Sequence, residues 1–393
     1  MNILFLAPRL PWPADTGGKI RTINIIKQFL KFASLHLVCF SFESRDELAK
    51  QEIEAMGLQV TLVPAPKNSL VRKVFNIAFN PLPHSILKYH SPLMNQVLKD
   101  LSQSERFDAV HIDHLHMAHY TGIFNALPCY LDEHNVEFKI LERCSQIEPS
   151  AAKKRIYEEQ ASKMKAYEAK KILEFKGVFA CSAEDKKILN RLNPRSVPVH
   201  VMPNGVDTEY FKSDPNAEDD VDGIVFTGSM DWLPNDDAMS YFCGKILPLI
   251  WQAKNSVKVY VVGKKPSAMV RGLARRDSRV IVTGRVDDVR PYIRCSKVFI
   301  VPLRIGGGTR LKILEAMSMS KAVVSTPVGA EGIEHTDGKN ILIADRPQDF
   351  AENVLSLLVD DVKCRQIGEG GRKLVCGKYD WDTIGGGLRE VYK

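Results

Sequence analysis

Long apolar runs are missing from this chain of 393 residues: nothing in it approaches the roughly 20 uninterrupted apolar residues that cross a bilayer, so any membrane contact is peripheral. The opening Met1-Asn-Ile-Leu-Phe-Leu-Ala-Pro8 has no basic flank and too short an apolar run for a secretion signal, and it reads as a buried strand. No concentrated basic tract accompanies the formal charge of +7, which argues against a dedicated nucleic-acid binder and for milder anionic company. C-x-x-C pairs are absent as well. The eight cysteines are scattered, several in strand-like runs, which predicts reduced core thiols in a cytoplasmic compartment. Neither a G-x-x-x-x-G-K-[ST] loop nor, after the first strand, a G-x-G-x-x-G with an acid about 20 residues on occurs, which weighs against a P-loop NTPase and a nicotinamide dehydrogenase.

What the chain does contain is alternation. Short runs apolar on both faces (Ile3–Ala7, Leu35–Phe40, Val60–Val63, Ala109–Ile112, Cys129–Leu131, Val178–Cys181, Val199–Met202) alternate with helical patterns such as Ile20–Phe32 and Ala151–Phe175. The second half repeats the plan with Ile224–Thr227, Val257–Val262, Val280–Thr283, Val298–Val301, Ala322–Thr326 and Ile341–Ile343. The expected class is α/β: two doubly wound, Rossmann-like domains facing a cleft, 1–202 and 203–376, with a polar hinge near 203–222. A final helix, 377–393, carries bulky Tyr379, Trp381 and Tyr392 and is expected to dock back on the first domain. Ser182-Ala-Glu-Asp185 has capping-box spacing and predicts a helix opening after Cys181.

The most informative stretch is Val301-Pro-Leu-Arg-Ile-Gly306-Gly307-Gly308-Thr309-Arg310-Leu-Lys312-Ile-Leu-Glu315-Ala-Met317, a strand running through glycines into a helix. Glycines admit a ligand close to the backbone, and a helix start offers free N–H groups and a partial positive charge. Here that turn holds no acid and adds Arg310 and Lys312, read as exposed cations, so it is short of an anion that a diphosphate would supply. Glu315 follows one turn later, placed to accept hydrogen bonds from a ribose diol; a helical Lys312–Glu315 ion pair is the bland alternative.

In these pieces, and in Pro11-Trp-Pro-Ala-Asp-Thr-Gly17-Gly18, Pro203-Asn-Gly-Val-Asp207, Phe226-Thr-Gly228-Ser-Met-Asp-Trp-Leu-Pro-Asn235, Thr283-Gly-Arg285-Val286 and Val323-Val-Ser-Thr-Pro-Val-Gly329-Ala-Glu331-Gly332, the chain resembles the retaining nucleotide-sugar glycosyltransferases of the GT-B fold, group 1 or family 4, which build envelope polysaccharides. The resemblance implies that Glu315 holds the donor ribose, that Arg285 and Val286 border the base, and that the Gly306–Thr309 amides lie near the donor phosphate or sugar, with Gly228 opening the donor domain. It implies Gly17 and Gly18 against the phosphate and acceptor, and no divalent metal or other cofactor. Two departures stand out: the first glutamate of the family's pair is Gly307 here, and the loop Thr227–Asn235 lacks the usual Arg and Lys, a gap that Arg310 and Lys312 could fill.

On the first domain, the proline- and glycine-rich loop after Ala7 is about ten residues long, against the usual two to six for such connections, which points to a binding role; Arg9, Lys19 and Arg21 lie beside it. His111-Ile-Asp113-His114-Leu-His116-Met-Ala-His119 ends a strand. By the resemblance a histidine there aligns the donor sugar: His114 is the candidate and Asp113 its rival. Asp132-Glu133-His134-Asn135 should face the acceptor, together with Arg21. Segment 67–88 mixes Val71, Val74, Phe75, Ile77, Phe79 and Ile86 with Lys67, Arg72, Lys73 and Lys88, and either rests on an anionic bilayer presenting a lipid-linked acceptor or packs under the acceptor pocket.

The expected activity is a hexosyl transfer from a nucleoside diphosphate sugar to a saccharide or lipid-linked hydroxyl with retention, at the inner face of the membrane. The alternatives are a sugar-nucleotide epimerase on the same fold, a metal-dependent hydrolase built on His111–His119 with Asp132 and His134, and a non-catalytic sugar-nucleotide sensor.

Overall fold

The computed structural model describes residues 1–67, 69–124, 126–213, 220–306 and 309–393. They form two units: Met1–Pro203 with Gly385–Lys393, and Asn204–Ile384.

The first unit is built on seven strands, β1 (Asn2–Ala7), β2 (Ser34–Ser41), β3 (Gln59–Pro64), β4 (Ala109–Asp113), β5 (Cys129–Glu133), β6 (Gly177–Ala180) and β7 (Val199–Val201), in the order β3-β2-β1-β4-β5-β6-β7. Every ladder is parallel; Ile3 pairs with Leu35 on one side and Ala109 on the other. Burial on both faces explains why these runs are continuously apolar rather than alternating. The second unit repeats the plan with six strands, β8 (Asp220–Thr227), β9 (Lys258–Val262), β10 (Val280–Gly284), β11 (Ser296–Val301), β12 (Ala322–Ser325) and β13 (Leu342–Ile343), ordered β10-β9-β8-β11-β12-β13 and again parallel. Each apolar run read from the sequence overlaps one of these strands.

The helix after β1 spans Gly17–Leu30 and opens at the glycines themselves, three residues earlier than the apolar pattern begins. Ser182 caps the helix Ala183–Leu192: its hydroxyl accepts the Asp185 N–H at 3.0 Å and donates to the Asp185 carboxylate at 2.8 Å, a local variant of the capping box. Three of the cysteines, Cys39, Cys129 and Cys181, are buried, and burial pushes the Cys129 and Cys181 thiols up to about 12; Cys376 is exposed, contrary to a uniform reading as core thiols. Segment 67–88 divides. Helix His84–Leu87 is packed inside, with Ile86 0% exposed, whereas helix Leu70–Phe79 keeps Val74, Phe75 and Phe79 in solvent. Asn68 lies outside the described residues.

The last residues belong to the first unit, with the division at Ile384/Gly385, inside helix Trp381–Tyr392, rather than at 377. Tyr392 is what holds them there. Its ring packs edge-on to Phe29 at 5.0 Å and lies near Tyr130 at 4.3 Å, and its hydroxyl meets His111 Nδ1 at 2.7 Å. Burial holds the His111 imidazole down to about 4, so this is a neutral pair. Among the described residues no helix is long and apolar enough to cross a membrane.

Tyr392→Phe keeps the ring packing and strips His111 of that partner, and is expected to cost about 1–3 kcal/mol in denaturant unfolding. An unchanged midpoint would mean that the hydrogen bond does not anchor the C-terminus.

Candidate functional site

In an open parallel sheet the loops diverge where the strand order reverses, leaving a crevice outside the carboxyl ends of the two strands there. In the first unit this point lies between β1 and β4, in the second between β8 and β11. Gly17, Gly18, Asp113 and His114 lie at the first of these points and Gly228, Gly306, Thr309, Arg310 and Lys312 at the second, whereas Arg285 and Val286 follow the edge strand β10.

In the first unit, parallel register sets Asp113, the last residue of β4, beside Asp132 of β5. Both are buried, 1% and 0% exposed. Two such carboxylates are tolerated because cations are built in. Arg21, on the first turns of helix Gly17–Leu30, grips Asp132 with Nε–Oδ2 at 2.9 Å and Nη2–Oδ1 at 2.6 Å. His134 Nε2 lies 2.9 Å from Asp113 Oδ1 and 3.5 Å from Asp132 Oδ2, and the Thr22 hydroxyl donates to Asp113 Oδ2 at 2.9 Å. Burial works against the Asp132 charge, but Arg21 and His134 hold the carboxyl well below its usual range. For His134 burial is likewise outweighed, by Asp113 and Asp132, which raise it to about 9. Arg21, expected on the acceptor side, is therefore turned inward at 1% exposure, because its guanidinium is needed by Asp132.

His114 is the residue that this network leaves accessible: its side chain is 19% exposed, whereas its rival Asp113 is enclosed. A positive φ of 87°, unusual for a side-chain-bearing residue, turns the imidazole out of the strand line. Its Nδ1 meets His116 Nδ1 at 2.6 Å and its Nε2 lies 3.7 Å from Glu137 Oε1. Burial, then His116 and His134, push the His114 imidazole well below its ordinary value, and burial takes His116 down to about 3. His119 stacks on His90 at 4.0 Å, apart from this group. Gly18 sits on the other side, where an added Cβ would stand 3.7 Å from His134 Nδ1, with Gly17 opening the same helix, whose first turn holds no acid. Arg9 lies over Phe42, and Lys19 bonds the Pro13 carbonyl.

Glu133, expected at the acceptor, points to the opposite face of β5 from Asp132 and is 1% exposed. Burial and then Glu168 raise its pKa well above the carboxylate range, which favours the neutral acid beside Glu168. Glu168 in turn accepts the Glu137 and Phe138 N–H groups at 3.2 and 3.3 Å. Burial lifts Glu168 to about 7, and burial with Glu168 lifts Glu137 to about 8. Glu137 and Glu168 were missed from sequence; Met164, Glu168 and Ile172 recur every four residues on one buried stripe of helix Ala151–Ile172, a spacing that could have flagged Glu168. Among the described residues two groups have donor sets that could hold a cation: His114, His116 and Glu137, with two neutral imidazoles, and His111, Asp113 and Asp132. In the second, Thr22, His134 and Arg21 engage the carboxylates and Tyr392 engages His111 Nδ1, while His111 Nε2 has no partner.

In the second unit β8 runs into Gly228, where φ is 155° and a Cβ would stand 2.6 Å from Lys312 Nζ and 2.8 Å from Asn235 Nδ2. The Lys312 amine donates to Asn235 Oδ1 at 2.9 Å and lies 4.0 Å from the Phe226 ring centroid, while Asn235 Nδ2 bonds the Ser229 carbonyl at 2.8 Å. Helix Leu311–Ser318 has Arg310 at its N-cap and no acid in its first turn. Burial, then Arg310, bring Lys312 down to about 7, and burial, only partly offset by Lys312, brings Glu315 up to about 7. Arg310 is not the exposed cation expected. It is 5% exposed, folded against Gly306, where a Cβ would collide with its guanidinium, and 5.9 Å from the Trp232 ring. Thr309 is enclosed, its hydroxyl donating to the Gly332 carbonyl at 3.5 Å. Arg285 is exposed and Val286 packs partly on the core; Gly307 and Gly308 lie outside the described residues.

Residues 222–360 match the family described as glycosyl transferases group 1, and residues 25–210 match Glycosyltransferase Family 4. The chain belongs to the group 1 glycosyltransferases, and its fold is GT-B. A 44.6 kDa protein of the cps region of Klebsiella pneumoniae is 22% identical over 397 aligned residues, 96% of each chain. HepE of Anabaena, solved with UDP, superposes with a TM-score of 0.68 at 15% identity, covering 100% of this chain and 99% of its own. Sucrose-phosphate synthase of Thermosynechococcus elongatus superposes with a TM-score of 0.72 at 14% identity, covering 100% and 98%.

Carboxyls raised in the fold from an ordinary 4.5 stabilise it at low pH and lose that contribution as pH rises through about 7 and 8, where Glu168 and Glu137 ionise. Glu133, raised further still, adds to that fall, and Glu133→Gln, neutral at every pH, removes its share. The variant's melting temperature is expected to fall less steeply than the wild type's from about pH 6 to about pH 9. Parallel curves would contradict the raised Glu133 acid.

Proposed function

We propose that this glycosyltransferase takes a nucleoside diphosphate sugar and moves the hexosyl group to an acceptor hydroxyl with retention, without a divalent metal, in the assembly of a polysaccharide or glycolipid. The carrying observation is the start of helix Leu311–Ser318, which has Arg310 and Lys312 and no acid in its first turn. Breaking the glycosidic bond to the nucleotide concentrates negative charge on the departing diphosphate, and donors aimed there in advance lower that barrier most. Lys312, held near 7 by burial, gains its full charge when the diphosphate arrives. Arg310 and Lys312 then serve where other transferases use a metal ion, and in this reading they replace the glutamate missing at Gly307. Glu315 takes the ribose, Arg285 and Val286 flank the base, and Gly228 with Gly306 and Thr309 borders the phosphates. On the acceptor unit the neutral His114 is offered to the sugar, since Asp113 is engaged by Thr22 and His134.

HepE, solved with UDP and with UDP-glucose, supports the donor class, and the cps-region protein of Klebsiella supports polysaccharide assembly. A cytoplasmic setting belongs to the same proposal and is supported by the eight free cysteines.

The test begins with a thermal-shift screen of uridine, guanosine and adenosine diphosphate sugars, followed by NMR of the product's anomeric configuration with the stabilising donor. At about pH 8 donor binding is expected to take up about one proton, read from calorimetry in buffers of different ionisation enthalpy. Lys312→Met should abolish that uptake and lower turnover roughly 100- to 1,000-fold. No uptake together with undiminished turnover in Lys312→Met would refute the diphosphate assignment.

A further inference from the structure

Between Glu54 and Asp100 the chain carries no acidic residue, while Lys67, Arg72, Lys73, Lys88 and Lys99 all fall inside that stretch. At its centre helix Leu70–Phe79 is inverted. Val74, Phe75 and Phe79 are 61%, 58% and 76% exposed, whereas polar Asn76 is turned inward at 7%. The two phenylalanine rings, one helical turn apart, sit 5.4 Å from one another as a single apolar ridge. The helix is fastened from behind: the Lys163 amine donates to the Ile77 carbonyl at 3.0 Å. Ile156, 41% exposed, lies two turns before Lys163 on the same face of helix Ala151–Ile172, beside exposed Lys153, Lys154 and Arg155. Of the two acids on that stretch, Glu159 is paired with Lys163 and Glu158 is exposed, against the three cations Lys153, Lys154 and Arg155.

A fixed helix that shows clustered aromatic side chains to water among cations gains most from a surface that is apolar inside and anionic outside. We infer that helix Leu70–Phe79 docks on an anionic bilayer, Val74, Phe75 and Phe79 entering the acyl boundary and exposed Lys67, Lys153, Lys154 and Arg155 meeting the headgroups. A second copy of this chain is the poorer occupant, because pairing the patch with itself would set cations against cations. The surface is also a ridge rather than a groove, which suits a deformable interface. This inference is independent of the donor's identity.

The experiment is flotation of the full chain with vesicles of phosphatidylcholine alone and of phosphatidylcholine with phosphatidylglycerol. Expected is binding at least roughly tenfold tighter to the anionic vesicles, weakening as salt rises. Phe75→Ser with Phe79→Ser, both in solvent, should keep the melting temperature and the donor-induced thermal shift while losing at least roughly tenfold in vesicle binding. Lys67→Glu should weaken binding without touching the apolar ridge. Equal, negligible binding to both vesicles overturns the inference, as does a double variant that binds like the wild type. So does a concentration-dependent dimer abolished by the same double variant.

Discussion

Two buried carboxylates side by side are the constraint on which the first unit turns. Parallel pairing of β4 with β5 leaves Asp113 next to Asp132, and neither can stay ionised in a dry strand end without a cation of its own. Arg21 answers with a two-pronged grip and His134 with a charged imidazole. Those demands decide much else. They fix the first turns of helix Gly17–Leu30 against the strand ends, set Gly18 beside His134, and engage both carboxylates. What remains accessible is His114, turned outward by its positive φ and kept neutral by burial.

The second unit has the same switch-point architecture and the opposite electrostatics. Its cation, Lys312, rests on an amide oxygen rather than a carboxylate, and the nearest acid on its own helix, Glu315, is itself half neutral near pH 7. In the first unit the buried carboxylates are paired with Arg21 and His134; in the second Arg310 and Lys312 meet no acid in the first helical turn, and the proposed diphosphate donor rests on that contrast.

The strand plan was legible because parallel strands covered on both sides are written as unbroken apolar runs, and Ile3–Ala7 or Val298–Val301 admit few other readings. The glycine-to-helix turn before Leu311 was legible for a local reason too: its chemistry lies within a dozen residues. Side-chain direction was not. Arg21, Glu133 and Arg310 were all read as presenting charge to a ligand, and all three are turned inward, drawn by partners far away in sequence or by the room a glycine leaves. Asn235, Glu137 and Glu168 escaped notice for the converse reason, since each takes its role from a residue about 30 or more positions distant.

The most direct measurement is a crystal structure of the chain soaked in UDP. Expected are diphosphate oxygens within hydrogen-bonding distance of Lys312 Nζ and the Arg310 guanidinium, with Asn235 displaced from the lysine. A diphosphate bound elsewhere, with Lys312 still on Asn235, would contradict the reading of that helix start as the donor's phosphate site.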